Sequence, residues 1–286
     1  MHVLVNGVRL FFDVEGARLV PEGPTLREKP TLILLHGGPG MDHSGYKPRY
    51  SQLADIAQVV FLDHRGNGRS DPGPRESWNL AQWGDDVYGF CEALEISSPV
   101  VLGASFGGVV AMAYATRHPA HPAKLILIST EAQGGAHVPE RIARFERLGG
   151  PEVGALARRR FVEGQVDPAM LEAWIRLAFP VYNRTPRDPA AVQRAVLRPE
   201  VNIWFTRTEG EGRTFNLLPE LQRMQCPTLV LGGEDDPMCP IECQEDIAGA
   251  FPAHLVRFER FAGCGHGVVA DAPERAMAVI REFIGS

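Results

Sequence analysis

Hydrophobic and polar positions along this chain fall into two rhythms. Up to about residue 131, and again from about 223, short apolar runs alternate with stretches of helical period. Residues 2–14 alternate around Asn6-Gly7, a two-residue turn signal, and predict an opening antiparallel hairpin. Pro21 to Pro30 is rich in proline, glycine and charge and reads as a loop. Thr31–Leu35, Val59–Leu62, Val100–Leu102 and Lys124–Ile128 read as buried strands, with helices expected over Tyr46–Ala57, Leu80–Leu94 and Val109–Tyr114. Strands that alternate with helices imply a mostly parallel sheet with right-handed crossovers.

Between residues 132 and 222 the strand-like runs disappear. Four amphipathic stretches take their place: Val138–Leu148, Pro151–Val162, Pro168–Ala178 and Pro189–Leu197, punctuated by proline and glycine. Such a block between strands predicts a helical cap, or lid, over the carboxyl edge of a core formed by residues 1–131 and 223–286. Alternation resumes with a strand at Thr228–Leu231, a helix at Pro240–Ala250, a strand at His254–Phe258 and a helix at Pro273–Ile284.

At 286 residues, 44% of them hydrophobic, the chain can form one α/β domain with an insertion and bury a sizeable core. Its net charge of −6 argues against a nucleic-acid partner or an anionic membrane. No stretch approaches the roughly 20 apolar residues of a membrane span, and no secretory signal is expected at the N-terminus. Five cysteines with no C-x-x-C pair fit a reduced, cytoplasmic setting.

The candidate chemistry starts at Gly103-Ala104-Ser105-Phe106-Gly107, a G-x-S-x-G between an expected strand and an expected helix. A turn this sharp requires glycine on both sides and lifts the serine hydroxyl clear of the sheet, beside the N–H groups that open a helix. A serine hydroxyl needs a base, and the base needs an orienting acid. Gly232-Gly233-Glu234-Asp235-Asp236-Pro237 follows a later strand and offers carboxylates; Gly263-Cys264-Gly265-His266-Gly267 follows the last strand and offers an imidazole. His43 and His64 stand in no metal-ligand pattern, so neither a metal nor another cofactor is expected. Arg158-Arg159-Arg160 reads as a solvated helix face, and Asp63 and Arg65 as braces for the loops around the serine.

With these motifs in place the chain resembles the α/β-hydrolase superfamily, and more narrowly its prolyl iminopeptidase-like branch. His36-Gly37-Gly38-Pro39-Gly40 is similar to that branch's H-G-G-P-G, and Asp63-His64-Arg65-Gly66-Asn67-Gly68-Arg69-Ser70 to its D-Q-R-G-x-G-x-S. The resemblance implies a catalytic triad of Ser105, Asp236 and His266, with Asp235 as second choice for the acid. The N–H groups of Phe106 and Gly38 would form an oxyanion hole.

The resemblance also leaves departures. Phe106 stands where that branch usually carries tryptophan, and His64 replaces glutamine. The expected activity is hydrolysis of a carboxylic ester, lactone or similar small acyl compound, with Trp204 and Phe205 shaping the pocket. The alternative is a prolyl iminopeptidase-type aminopeptidase, in which Glu209 and Glu211 hold a substrate ammonium, because a buried cation needs a counter-charge. A remote alternative is a non-catalytic ligand receptor on the same fold. The partner is a small molecule or a short peptide; oligomeric state is not readable from the chain.

Overall fold

The computed structural model describes residues 1–186 and 188–286, with the side chain of Val192 outside the description. The chain opens with β1 (His2–Val5) and β2 (Val8–Glu15), antiparallel and in register Val5 with Val8. Asn6 and Gly7 both take positive φ, 46° and 81°, as the tight hairpin turn demands. Eight more strands follow among the described residues, ten in all: β3 (Leu19–Glu22), β4 (Thr25–Glu28), β5 (Thr31–Leu35), β6 (Gln58–Leu62), β7 (Val100–Ala104), β8 (Lys124–Ile128), β9 (Thr228–Gly233) and β10 (Val256–Phe261). Eight of them form one sheet in the order β1-β2-β6-β5-β7-β8-β9-β10, parallel from β6 onward.

Every residue of β5 is buried, since helices or turns cover both faces of the sheet. Ile33 and Leu35 enter one apolar cluster with α1 (Leu80–Ala93) and α2 (Phe106–Arg117). Leu32 and Leu34 enter the opposite one, with Tyr50, Leu53 and residues such as Ile280 of the C-terminal helix Pro273–Gly285. That division follows from the strand's period of two.

Between β8 and β9 lies the helical insertion: α3 (Val138–Phe161), α4 (Pro168–Ala173), α5 (Pro189–Arg194), α6 (Pro199–Thr206) and α7 (Leu218–Leu221). The insertion has its own apolar cluster, with Ile142, Phe145, Val153, Leu156, Trp174 and Tyr182 at its centre. Gly150 breaks α3 with φ 81°, where two separate stretches are predicted from the sequence. α8 (Ile241–Ala250) follows β9, and α9 (Val268–Asp271) and α10 (Pro273–Gly285) close the chain.

Four local expectations need correction. The proline-rich stretch Pro21–Pro30 is not all loop: β3 and β4 pair there as a small antiparallel hairpin, turned by Gly23 at φ 61°. Tyr46–Ala57 is no α-helix, because Pro48 supplies no N–H and restricts Lys47; 3₁₀ turns form instead at His43–Gly45 and Tyr50–Asp55. The helix expected over Pro189–Leu197 ends at Arg194. β10 runs from Val256 to Phe261, shifted toward the C-terminus, where it registers with β9.

Candidate active site

β7 ends at Ala104 and α2 begins at Phe106, so Ser105 must reverse the chain alone. It does so at φ 55°, ψ −126°, a region that a residue with a side chain enters only at a cost of about 1–3 kcal/mol. Its neighbours permit this. A Cβ on Gly103 would collide with the Gly107 carbonyl, and a Cβ on Gly107 with the Leu35 carbonyl. The Ser105 backbone is fixed on both sides: its N–H donates to Ile128 at 2.9 Å, and its carbonyl accepts from Thr130 Oγ1 at 2.7 Å.

The glycine loop after β5 passes directly over this turn, close enough that a Cβ on Gly37 would lie 3.3 Å from that of Ser105. Tyr46 bolts the two together, since its hydroxyl accepts the Gly37 N–H at 2.8 Å and donates to the Ala104 carbonyl at 3.4 Å. The Gly40 N–H goes to Asn67 Oδ1 at 2.6 Å. After this accounting the N–H groups of Gly38 and Phe106 have no hydrogen-bond partner among the described residues. For Phe106 this is the ordinary consequence of opening a helix.

Asp236 follows β9 and is fully buried. Its Oδ1 accepts the N–H groups of Met238 at 2.8 Å and Cys239 at 2.9 Å. Its Oδ2 lies 2.9 Å from His266 Nδ1. A carboxylate only accepts, so the proton sits on Nδ1 and Nε2 is left as the basic nitrogen. β10 is an edge strand, yet its following loop folds back over the end of β9. Gly233 allows this, because a Cβ there would strike the carbonyls of Cys264 and Gly265. The insertion holds the loop from the other side: the His266 N–H donates to the Tyr182 carbonyl at 2.7 Å, and the Tyr182 ring meets the His266 ring edge-on at 5.3 Å.

Asp235, the second choice for the acid, faces elsewhere: its two oxygens take Arg147 at 2.8 Å and Arg184 at 2.6 Å. It ties the insertion to the acid loop. Cys239 Sγ joins Asp236 and His266 in a group whose potential ligand atoms lie within 4.8 Å of one another. The donor chemistry fits a proton relay better than a metal, since burial drives the Cys239 thiol's pKa well up and both Asp236 oxygens already accept hydrogen bonds.

Loops behind the turn are braced by charge. Asp63 takes His43 Nδ1 at 2.7 Å and the N–H groups of His43 and Arg69; burial would raise its pKa, but the hydrogen bond from His43 and the neighbouring imidazoles hold it below the usual value. Arg65 clasps Asp86 with two bonds of 2.7 Å. Both residues brace, as expected. His64, which replaces glutamine in the motif, packs 4.3 Å from His36 and edge-on to Phe106.

The aromatic and acidic residues singled out in the insertion lie together. Trp204, Phe205, Glu209 and Glu211 line a cavity of about 360 Å³ with Glu76 and Trp78, and Ser105, Asp236 and His266 are not part of its lining. Glu211 caps α1 there, accepting the Leu80 N–H at 2.8 Å. Phe205 alone reaches back, packing 5.3 Å from the Phe106 ring.

One reading from sequence is overturned. Arg160 is not on a solvated face; it is buried, 7% exposed, with its Nη2 on Asn202 Oδ1 at 3.2 Å. The signal was available: Val153, Leu156, Ala157 and Arg160 share the buried stripe of α3 at helical spacing. Tyr46, Asn67 and Asn202, which fix the glycine loop, carry no comparable signal.

Residues 30–273 match the alpha/beta hydrolase fold family. The chain is 25% identical to a putative carbamate hydrolase RutD of Caulobacter sp. (strain K31), covering 95% of this chain and 96% of that one. It is 27% identical to a proline iminopeptidase of Lactobacillus helveticus (strain DPC 4571), covering 97% and 95% respectively. The crystal structure of a Mycobacterium smegmatis proline iminopeptidase superposes over 100% of this chain and 97% of that one, with a TM-score of 0.80 at 22% identity. The chain therefore belongs to the alpha/beta hydrolase fold family.

Proposed function

We propose that this hydrolase is a serine hydrolase that cleaves a carboxylic ester, lactone or similar small acyl substrate through an acyl-enzyme. Ser105 is the nucleophile, His266 the general base and Asp236 the group that orients it. Ser105 Oγ attacks the carbonyl carbon while its proton passes to His266 Nε2, and the carbonyl oxygen takes up the negative charge. The N–H groups of Gly38 and Phe106 receive that charge. Collapse expels the alcohol, which leaves with the proton from His266, and water repeats the sequence to release the acid. Each oxyanion donor is worth about 2.7–4 kcal/mol in the transition state.

The observation that carries the reading is the strained Ser105 turn with two unspent N–H groups beside it. The helical insertion, residues 132–222, acts as a lid over the core of residues 1–131 and 223–286; Tyr182 supports His266 from it. The mechanism uses no metal or other cofactor. The similarity to a proline iminopeptidase supports a second reading, an aminopeptidase releasing an N-terminal residue. The position of Glu211, occupied with the Leu80 N–H, weighs against it.

A fluorophosphonate probe tests the class: labelling of the wild-type protein and none of Ser105→Ala is expected. Labelling that survives the substitution overturns the nucleophile, and no labelling with no turnover favours a binding protein. Parallel assays with a proline anilide and short-chain nitrophenyl esters separate the two enzymatic readings, with ester cleavage the expected result.

A further inference from the structure

The helical insertion buries two guanidinium groups, Arg141 and Arg160, and among the described residues only Arg141 has a carboxylate partner. Arg141 pairs with Glu131 at 2.5 Å. Among the described residues the partners of Arg160 are neutral: Asn202 Oδ1 at 3.2 Å and the face of Trp174, 5.0 Å from ring centre to guanidinium. Its Nη1 is buried with no hydrogen-bond partner among the described residues, and no carboxylate among them pairs with it. A buried cation left unmatched is costly, and an anion that reached it would remove that cost.

The surroundings say where that anion would sit. Asn202, which takes one side of Arg160, also donates from Nδ2 to the Pro39 carbonyl at 3.3 Å, in the glycine loop. Trp174, which takes its face, donates from Nε1 to the Tyr182 hydroxyl at 2.8 Å, and Tyr182 packs on His266. Arg160 is thus one side chain away from the oxyanion loop and two from the base. Arg141, close by, adds to the positive field, and burial presses the Arg160 pKa downward, as expected for a cation short of a counter-ion.

From this geometry we infer that the substrate carries a carboxylate in addition to the scissile acyl bond, and that Arg160 binds it. The inference rests on the serine hydrolase reading and sharpens it. A guanidinium matches a carboxylate with two parallel hydrogen bonds, and Nη1 is the donor still unspent. An N-terminal ammonium at the same place would meet the unmatched positive charge of Arg160.

The carboxylate could lie on the acyl side or the leaving side, and paired substrates distinguish these. Mono-para-nitrophenyl glutarate carries it on the acyl side and is compared with para-nitrophenyl valerate. Para-acetoxybenzoate carries it on the leaving side and is compared with para-acetoxybenzamide. For the wild-type protein one acid should exceed its neutral partner in kcat/KM by about thirty-fold or more. That ratio should fall to about one in Arg160→Met and be partly kept in Arg160→Lys, which retains charge without the fork.

No preference for either acid in the wild type overturns the inference, as does a ratio that Arg160→Met leaves intact. Should Arg160→Met fail to fold, the wild-type ratios and Arg160→Lys still decide. Should no ester be turned over and no probe bind Ser105, the hydrolytic reading fails by itself. Calorimetry with glutarate then decides separately: binding lost in Arg160→Met and weakened but kept in Arg160→Lys supports the anion site, and no binding to the wild type, or binding that Arg160→Met leaves intact, overturns it.

Discussion

The carboxyl edge of the sheet and the helical insertion above it contribute to the candidate site by different means. The sheet edge works with backbone. Gly103 and Gly107 make room for a turn, Ser105 bears an unfavourable φ, and Gly38 and Phe106 present bare N–H groups. The insertion works with side chains: Arg160, Trp174, Tyr182 and Asn202 form a chain of polar and aromatic contacts from the insertion toward both the glycine loop after β5 and His266. In the proposed reaction, backbone geometry would serve the chemistry common to every acyl substrate, because it would meet the reacting carbonyl. Side chains on a packed insertion suit recognition, because they can be exchanged without moving the turn.

That division can be broken most directly at the two neighbouring aspartates. Asp236→Asn should lower kcat by about ten-thousand-fold, because the amide no longer fixes the imidazole in the tautomer that leaves Nε2 basic. Steady-state kinetics with a short-chain nitrophenyl ester measures this, and a loss of less than about ten-fold would move the acid elsewhere. A backbone test comes next. Gly107→Ala sets a methyl group against the Leu35 carbonyl, so it should cost about 3 kcal/mol of stability or more, read as a lower urea midpoint.

A smaller effect lies in the histidines behind the turn. Burial pushes the His64 imidazole well below its ordinary pKa and lowers that of His36 as well. The unfolded chain takes up these protons below about pH 6.5, whereas the folded chain resists them. The stability from their neutrality is therefore complete above about pH 6.5 and is lost as pH falls from there through the depressed values. The slope is at most about 1.4 kcal/mol per pH unit for each group. His64→Gln removes one of the two, so urea midpoints should fall less between about pH 7.5 and 5 in the variant than in the wild type. Equal acid sensitivity would show that other groups govern it.

The smallest effect is expected at Asp235→Asn, which loosens Arg147 and Arg184 at the partly solvated seam between insertion and core. Screening by water keeps such pairs weak, so kcat/KM should change by less than about three-fold. A change as large as that of Asp236→Asn would erase the distinction between the two residues.

The fold was largely legible because the sheet's strands are short apolar runs set between helices, and a buried parallel strand leaves few other ways to satisfy such a run. The serine turn, the acid loop and the histidine loop were legible for a related reason: each depends on glycine where no Cβ fits, and glycine spacing is visible in one dimension. Errors arose where a local pattern had a tertiary competitor. Pro48 interrupted a helical period, and Thr25–Glu28 found a strand partner within an otherwise loop-like stretch.

By itself the sequence determined the α/β architecture, the order serine, acid, histidine, and the positions at which the backbone had to be bare. Only the tertiary structure decided that Asp236 rather than Asp235 faces His266, that Glu211 is spent on a helix end, and that Arg160 has no carboxylate partner among the described residues. The reason is that a glycine's effect on its own backbone is local, whereas the partner of a charge is settled by which distant elements pack against it.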